Sequence, residues 1–286
     1  MEKAQLVNVY GKKMSIKYIG SGEKTIILLP GFGIPLPTTL FKPLMKGLAE
    51  NYQVCTIDLF GYGYSDSSEQ PRTNKNIVEE IRETLRVSGF KPPYILMPYS
   101  AAGIYCEYYS IKYPSEVEAL ILIDGTPTIE EFAEQLTLSE LHISAMKKAF
   151  DSQNRQSKET LEKSIAQEIQ ILKPHGFTEE DIRKANSVMN NSDTLIAQAI
   201  ELSQNIREVQ SLIFPQDLPV LVLLSDNATL SDKDFTLTEN YRKAHLANLA
   251  ENSKSFIVRE STHSDIIYNK NSLRIIVEEV IKFIPS

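Results

Sequence analysis

Short apolar runs with strand chemistry recur along this chain with helix-like segments between them, and that alternation leaves few folds open. The runs are Ile16–Tyr18, Thr25–Leu29, Gln53–Ile57, Tyr94–Met97, Leu120–Ile123, Val220–Leu224 and Ser255–Val258. From Thr25 onward most are continuously apolar rather than alternating. That pattern suits strands covered on both faces, as in a parallel sheet. Lys42–Glu50, Asn76–Ser88, Ala102–Lys112 and Ser272–Phe283 are helix-like. The order predicts an α/β chain with right-handed crossovers. With 286 residues there is room for one large domain of this kind or two small ones.

The alternation stops between about Pro127 and Pro215. This stretch is rich in Glu, Gln, Lys and Ser, with Leu, Ile and Ala at helical spacing and no strand-like run. It predicts a helical insertion over 127–215, with residues 1–126 and 216–286 forming the sheet domain. Pro215 and Pro219 bracket the return to the sheet. The Ser-, Gln- and Lys-rich patch Asp151–Ser164 suits a solvated helix face.

Bulk properties narrow the partners. A net charge of −7 and a pI near 5.3 leave no basic stripe to neutralise phosphates, which argues against nucleic acid. Two cysteines, Cys55 and Cys106, do not make a disulfide framework and are expected to be buried thiols. The polar start of the chain shows no secretory leader, and its apolar runs are too short to span a bilayer. A cytoplasmic protein with a small-molecule substrate and no membrane span is expected.

The segment Tyr94-Ile-Leu-Met-Pro-Tyr-Ser-Ala-Ala-Gly103 carries the most chemistry. A buried strand runs into Ser100, and a helix of small residues starts at once, which is the context of a nucleophile elbow. The helix start directs free N–H groups and its positive end toward the serine. Taken alone, the segment also fits Ser100 as a helix N-cap. Two further segments favour a nucleophile. In Leu28-Leu-Pro-Gly-Phe-Gly-Ile-Pro35 a strand ends in a glycine-rich loop, which makes the backbone N–H groups of Phe32 and Ala101 the candidate oxyanion hole. An ordinary glycine turn also fits that loop. In Phe256-Ile-Val-Arg-Glu-Ser-Thr-His-Ser-Asp265, His263 follows a strand near the end of the chain, where a base for Ser100 belongs. Of the four histidines, His142, His175 and His245 lie in or beside charged helical segments. No His or Cys cluster has metal-ligand spacing, so neither a metal nor a cofactor is expected.

Together these segments resemble the α/β-hydrolase fold family, in the serine hydrolase branch with a helical cap. The resemblance covers nearly the whole chain. It rests also on Gln53-Val-Cys-Thr-Ile-Asp-Leu-Phe-Gly-Tyr-Gly-Tyr-Ser-Asp66 and on Tyr113-Pro-Ser-Glu-Val-Glu-Ala-Leu-Ile-Leu-Ile-Asp124. Pro98 departs from the family's G-x-S-x-G pattern, standing where Gly is usual. The resemblance implies a central, mostly parallel sheet flanked by helices, with the site at the C-terminal ends of the strands beneath the cap. Asp58 and the glycines after it are then structural. Tyr99 and Phe32 flank the reacting centre, which makes Tyr99 a candidate for the substrate pocket.

The family usually places the triad acid after the strand read here as Val220–Leu224, but that register puts Ala228 at the position. Asp226 comes two residues early, and Asp232 and Asp234 come late. The family's other position, at the end of the preceding strand, holds Asp124. Asp124 is therefore the preferred acid and Asp226 the alternative. The implied function is hydrolysis of a small carboxylic ester or lactone through an acyl-enzyme. An aminopeptidase- or amidase-like hydrolase is the second reading, and a non-catalytic small-molecule-binding signalling protein the third.

Overall fold

A computed structural model describes residues 3–188, 192–226 and 231–284. The strands are β1 (Lys3–Val9), β2 (Lys12–Ile19), β3 (Thr25–Leu29), β4 (Gln53–Asp58), β5 (Tyr94–Pro98), β6 (Val117–Ile123), β7 (Val220–Ser225) and β8 (Lys254–Val258). They form one sheet in the order β1-β2-β4-β3-β5-β6-β7-β8. The pairs β1/β2 and β2/β4 are antiparallel, and from β4 to β8 every neighbouring pair is parallel. The helices are α1 (Pro37–Leu40), α2 (Lys42–Leu48), α3 (Asn74–Val87), α4 (Ala102–Lys112), α5 (Glu130–Gln135), α6 (Glu140–Asn154), α7 (Lys158–Leu172), α8 (Glu179–Ser187), α9 (Ser192–Gln210), α10 (Asp232–Asn248) and α11 (Lys270–Phe283).

Two core clusters, one on each face, account for the continuous apolar runs. Successive side chains of a strand point to opposite faces. Ile27, Leu29, Leu96, Leu120 and Leu122 pack with α3, α4 and α9. Their neighbours Ile26, Leu28, Ile95, Met97 and Ile121 pack with α2 and α11. Both cysteines are buried free thiols, as expected.

Besides the one-turn helix α1, two elements were not legible from apolar pattern. β1 is the first: Leu6 is exposed and Val9 buried, so the strand alternates weakly at the sheet edge. The other is α10, a charged helix that follows β7. The insertion between β6 and β7 consists of α5 to α9. Ala133 on α5 and Leu195, Leu202 and Ile206 on α9 join the core that covers α4. A separate small cluster of Ile165, Phe177 and Ile182 holds α7 and α8 together, with Leu40 and Tyr268 against it. Thr178 and Asp181 form a capping box at the start of α8. No helix among the described residues is long and apolar enough to cross a membrane.

Asp58 ends β4 fully buried and accepts the Thr38 and Tyr64 amides at 3.1 and 3.3 Å. Burial pushes its carboxyl up to about 6, against the pull of these hydrogen bonds. A Cβ at Gly63 would sit 2.3 Å from the Asp58 carboxylate, so the glycine is required for this turn. Asp58 thus holds the segment after β4 against α1.

Candidate active site

Strand β3 lies between β4 and β5, so the chain leaves β3 to one side and later returns on the other. Such a reversal opens a crevice at the C-terminal ends of the strands. The loop after β3 and the turn after β5 meet there.

Ser100 occupies that turn with φ +53°, a left-handed conformation costing a non-glycine residue about 1–3 kcal/mol. Three backbone hydrogen bonds hold it there. Its N–H donates to the Ile123 carbonyl at 3.1 Å, and its carbonyl accepts Gly103 N–H at 2.9 Å and Thr126 N–H at 3.1 Å. Asp124 at the end of β6, φ +43°, and Glu260 after β8, φ +58°, are also left-handed. Three strained turns therefore end three strands around one crevice.

His263 lies between two of these residues. Its Nε2 is 3.0 Å from Ser100 Oγ and its Nδ1 is 2.7 Å from Asp124 Oδ2. The imidazole is half-exposed, while Asp124 is 8 % exposed, so the pair runs from solvent inward. Ser225 donates its N–H to Asp124 Oδ1 at 3.2 Å and its hydroxyl to Oδ2 at 2.8 Å. Arg242 Nη2 donates to Oδ1 at 2.9 Å. Burial alone pushes the Asp124 carboxyl up. The His263 hydrogen bond and charge, the Arg242 charge and the Ser225 hydroxyl outweigh it and hold the group below its ordinary value.

The other candidates are placed as follows. Asp226 accepts the Glu260 N–H at 2.6 Å and so braces the turn leading to His263. Asp234 accepts the Ser231 hydroxyl at 2.6 Å at the start of α10. Ala228 and the side chain of Asp232 lie outside the described residues. Tyr99, expected at a substrate pocket, is buried under the imidazole. Its ring stacks on His263 with centroids 5.2 Å apart, and its hydroxyl donates to the His263 carbonyl at 2.7 Å. The remaining histidines are engaged elsewhere. His142 and His175 each accept a backbone N–H at Nδ1, and buried His245 meets Glu107 at 2.8 Å.

Phe32 is half-buried on the loop after β3, next to Gly31, which contacts Ser100 and Tyr99. Among the described residues, the N–H groups of Phe32 and Ala101 donate to no protein acceptor. The loop is held by a buried chain of hydrogen bonds that motif reasoning missed. Gly33 N–H donates to the Tyr62 hydroxyl at 3.2 Å, and that hydroxyl donates to Gln198 Oε1 at 2.8 Å. Gln198 Nε2 then donates to the Tyr105 hydroxyl at 3.0 Å. Four segments are joined: the loop, the turn after β4 that carries Tyr62, α9 of the insertion, and α4 behind Ser100. Beside the loop, a cavity of about 500 Å³ lies between residues 33–40 and the helices α6 to α8, with Ile34, Leu36, Leu40, Phe150, Leu161 and Phe177 in its wall.

The sequence profile of the alpha/beta hydrolase fold matches residues 24–269. The YbdG protein of Bacillus subtilis (strain 168) is 40% identical over 126 residues, 44% of this chain and 39% of its own. A pimeloyl-[acyl-carrier protein] methyl ester esterase of Xanthomonas oryzae pv. oryzae is 30% identical over 114 residues, 40% of this chain and 41% of that protein. These matches span about two fifths of the length of the curated relatives. Among solved structures, E-2-(acetamidomethylene)succinate hydrolase superimposes over 100% of both chains with a TM-score of 0.71 and 19% identity, a likeness of fold.

Proposed function

This chain belongs to the alpha/beta hydrolase fold family, and from that premise we propose that it is a serine hydrolase cleaving a small carboxylic ester or lactone through an acyl-enzyme on Ser100. The observation that carries the reading is the position of His263, within hydrogen-bond reach of Ser100 Oγ on one ring nitrogen and of Asp124 on the other.

In the reaction, His263 takes the Ser100 proton as Oγ attacks the carbonyl carbon. Asp124 fixes the imidazole tautomer and stabilises the imidazolium that forms. The amides of Phe32 and Ala101 receive the oxyanion, each donor of this kind being worth about 10²–10³ in rate. His263 next protonates the departing alcohol oxygen, or the ring oxygen of a lactone. Water, deprotonated by the same imidazole, attacks the acyl-enzyme and releases the acid. Residues 127–215 form the cap over this site, and the apolar side chains in the wall of the cavity beside Gly33, which also holds Glu168 and Asp181, support an apolar acyl or alcohol group. The methyl ester esterase among the relatives supports an ester over an amide.

The test is intact-mass analysis after treatment with a fluorophosphonate. Wild type is expected to gain one adduct and Ser100→Ala none, with esters and lactones then turned over faster than aminoacyl amides. Faster cleavage of the amides would turn the reading to an amidase. An unlabelled, folded wild type would leave a ligand-binding protein on this fold.

A further inference from the structure

Arg242 lies on α10, outside every motif that marks the site, and is 7 % exposed. Its Nη2 reaches Asp124 Oδ1 at 2.9 Å and Ser225 Oγ at 3.1 Å, while Nη1 reaches Glu239 Oε1 at 2.9 Å. The two oxygens of Asp124 are thus divided. Oδ2 faces the imidazole of His263, and Oδ1 faces a guanidinium that stays charged at any working pH.

A buried carboxylate whose only partner is an imidazole exerts its whole negative charge on that ring and favours the imidazolium. A fixed cation on the second oxygen cancels part of this field. It also compensates the cost of burying the carboxylate, and it fixes the plane of the group so that one oxygen points at Nδ1. Titratable groups on the elements around the cluster include Glu239 on α10, Asp226 after β7, Glu260 and Asp265 on the His263 loop, Tyr99 at the turn after β5 and Tyr268 ahead of α11. Among the described residues, Arg242 is the one lysine or arginine hydrogen-bonded to Asp124.

We propose that Arg242 is a positioning residue for the Asp124–His263 pair, holding Asp124 ionised and aimed while limiting the negative charge felt by the imidazole. Asp124 then meets Nδ1 through Oδ2 in one fixed orientation, which leaves Nε2 facing Ser100 Oγ. The proposal rests on the serine hydrolase reading and adds to it a residue that sets how Asp124 meets the base.

The experiment measures the rate of Ser100 labelling by a fluorophosphonate against pH, so that no substrate need be known. The variants are Arg242→Met, Arg242→Lys and Glu239→Gln, each checked for folding by circular dichroism. Arg242→Met is expected to move the acid limb of the profile up by about 1 pH unit and to lower the plateau rate by about 10-fold. Arg242→Lys keeps the charge but loses the fork, so its limb stays at the wild-type position while its plateau falls. Glu239→Gln removes the anion on the far side of the guanidinium, and its limb moves the opposite way, to lower pH. Should Arg242→Met not fold, a Glu239→Gln limb at lower pH beside an unmoved Arg242→Lys limb with a lowered plateau still decides. A folded Arg242→Met with an unmoved limb, or a Glu239→Gln limb that stays or rises, overturns the proposal. A wild type that is never labelled overturns the serine hydrolase reading and this proposal with it, whereas a labelled wild type with unmoved limbs overturns this proposal only.

Discussion

Gly31 packs against Ser100 with no room for a methyl group between them: a Cβ at position 31 would lie 2.9 Å from Ser100 Cβ and 3.0 Å from Tyr99 Cδ1. Neither neighbour can yield cheaply, because Ser100 is held in its strained turn by three backbone hydrogen bonds and Tyr99 is buried under His263. Gly31→Ala is expected to displace Ser100 from Nε2 or to push away the loop carrying Phe32. Overpacking of this kind costs about 1–3 kcal/mol, and the misplacement of Ser100 should cut labelling by about 100-fold. Thermal unfolding and fluorophosphonate kinetics measure the two effects separately. Labelling at the wild-type rate would show that the close approach does not matter to the chemistry.

Asn substitutions at the two candidate acids should separate cleanly. Asp124→Asn presents an amide to Nδ1 and favours the wrong tautomer of His263, a change that costs about 10⁴ in turnover where it has been made in other triads. Asp226→Asn removes the charge from the hydrogen bond that Asp226 accepts from the Glu260 amide, which loosens the turn before His263. A loss under about 10-fold is expected there. Ester turnover by both variants is the measurement, and a reversal of their order would move the acid role to Asp226.

The physical reasons for what could be read in advance lie in these same residues. Ser100 and His263 were legible as candidates because each lies within a few residues of the end of an apolar run, Met97 for Ser100 and Val258 for His263, and a strand end is a local feature of sequence. The choice between Asp124 and Asp226 was not local. β6 and β7 are neighbours, with Ile123 paired to Leu223, so both aspartates emerge on the same rim. Which one faces the imidazole depends on the turn at each strand end. Arg242 carried no sequence signal, since α10 is mostly charged and polar and its one ionic contact with the site spans 118 residues. The role of Tyr62 was hidden for a related reason: its partner Gln198 lies 136 residues away, in the helical insertion.

The ion pairs of Asp124 also predict how stability depends on pH. Its folded carboxyl is held below the ordinary value of 3.8 because, although burial opposes ionisation, His263, Arg242 and Ser225 together favour it more. A carboxyl depressed in the folded state adds stability at pH above its unfolded value. That stability is lost as the pH falls through the folded value, because the unfolded chain binds the proton more readily. Asp124→Asn leaves Arg242 buried without this anion and should cost about 3 kcal/mol at neutral pH. Urea unfolding of both proteins should show the gap narrowing below about pH 4. A gap of constant size at every pH would mean that the charge of Asp124 contributes nothing to folding.

Tyr62→Phe tests whether the insertion helps to hold the candidate oxyanion loop. The Tyr62 hydroxyl accepts the Gly33 N–H and donates to Gln198 Oε1, and both aromatic and amide side chains are about 1–2 % exposed. Removing this one oxygen keeps the ring packing of a buried side chain but strands a buried amide oxygen on α9, at a cost of about 1–3 kcal/mol. If the loop is held only by its own turn, nothing beyond this stability loss follows. If the Tyr62 hydroxyl fixes the backbone next to Phe32, the Phe32 amide loses its aim at a developing oxyanion, which affects the transition state more than the bound ester. The expected result is a kcat lowered by about 10-fold with KM nearly unchanged. Gln198→Met, which leaves the Tyr62 hydroxyl on Gly33, should then cost stability while keeping most of kcat. Equal losses of kcat in the two variants would place the effect in the packing of α9 rather than in the hydrogen bond to the loop.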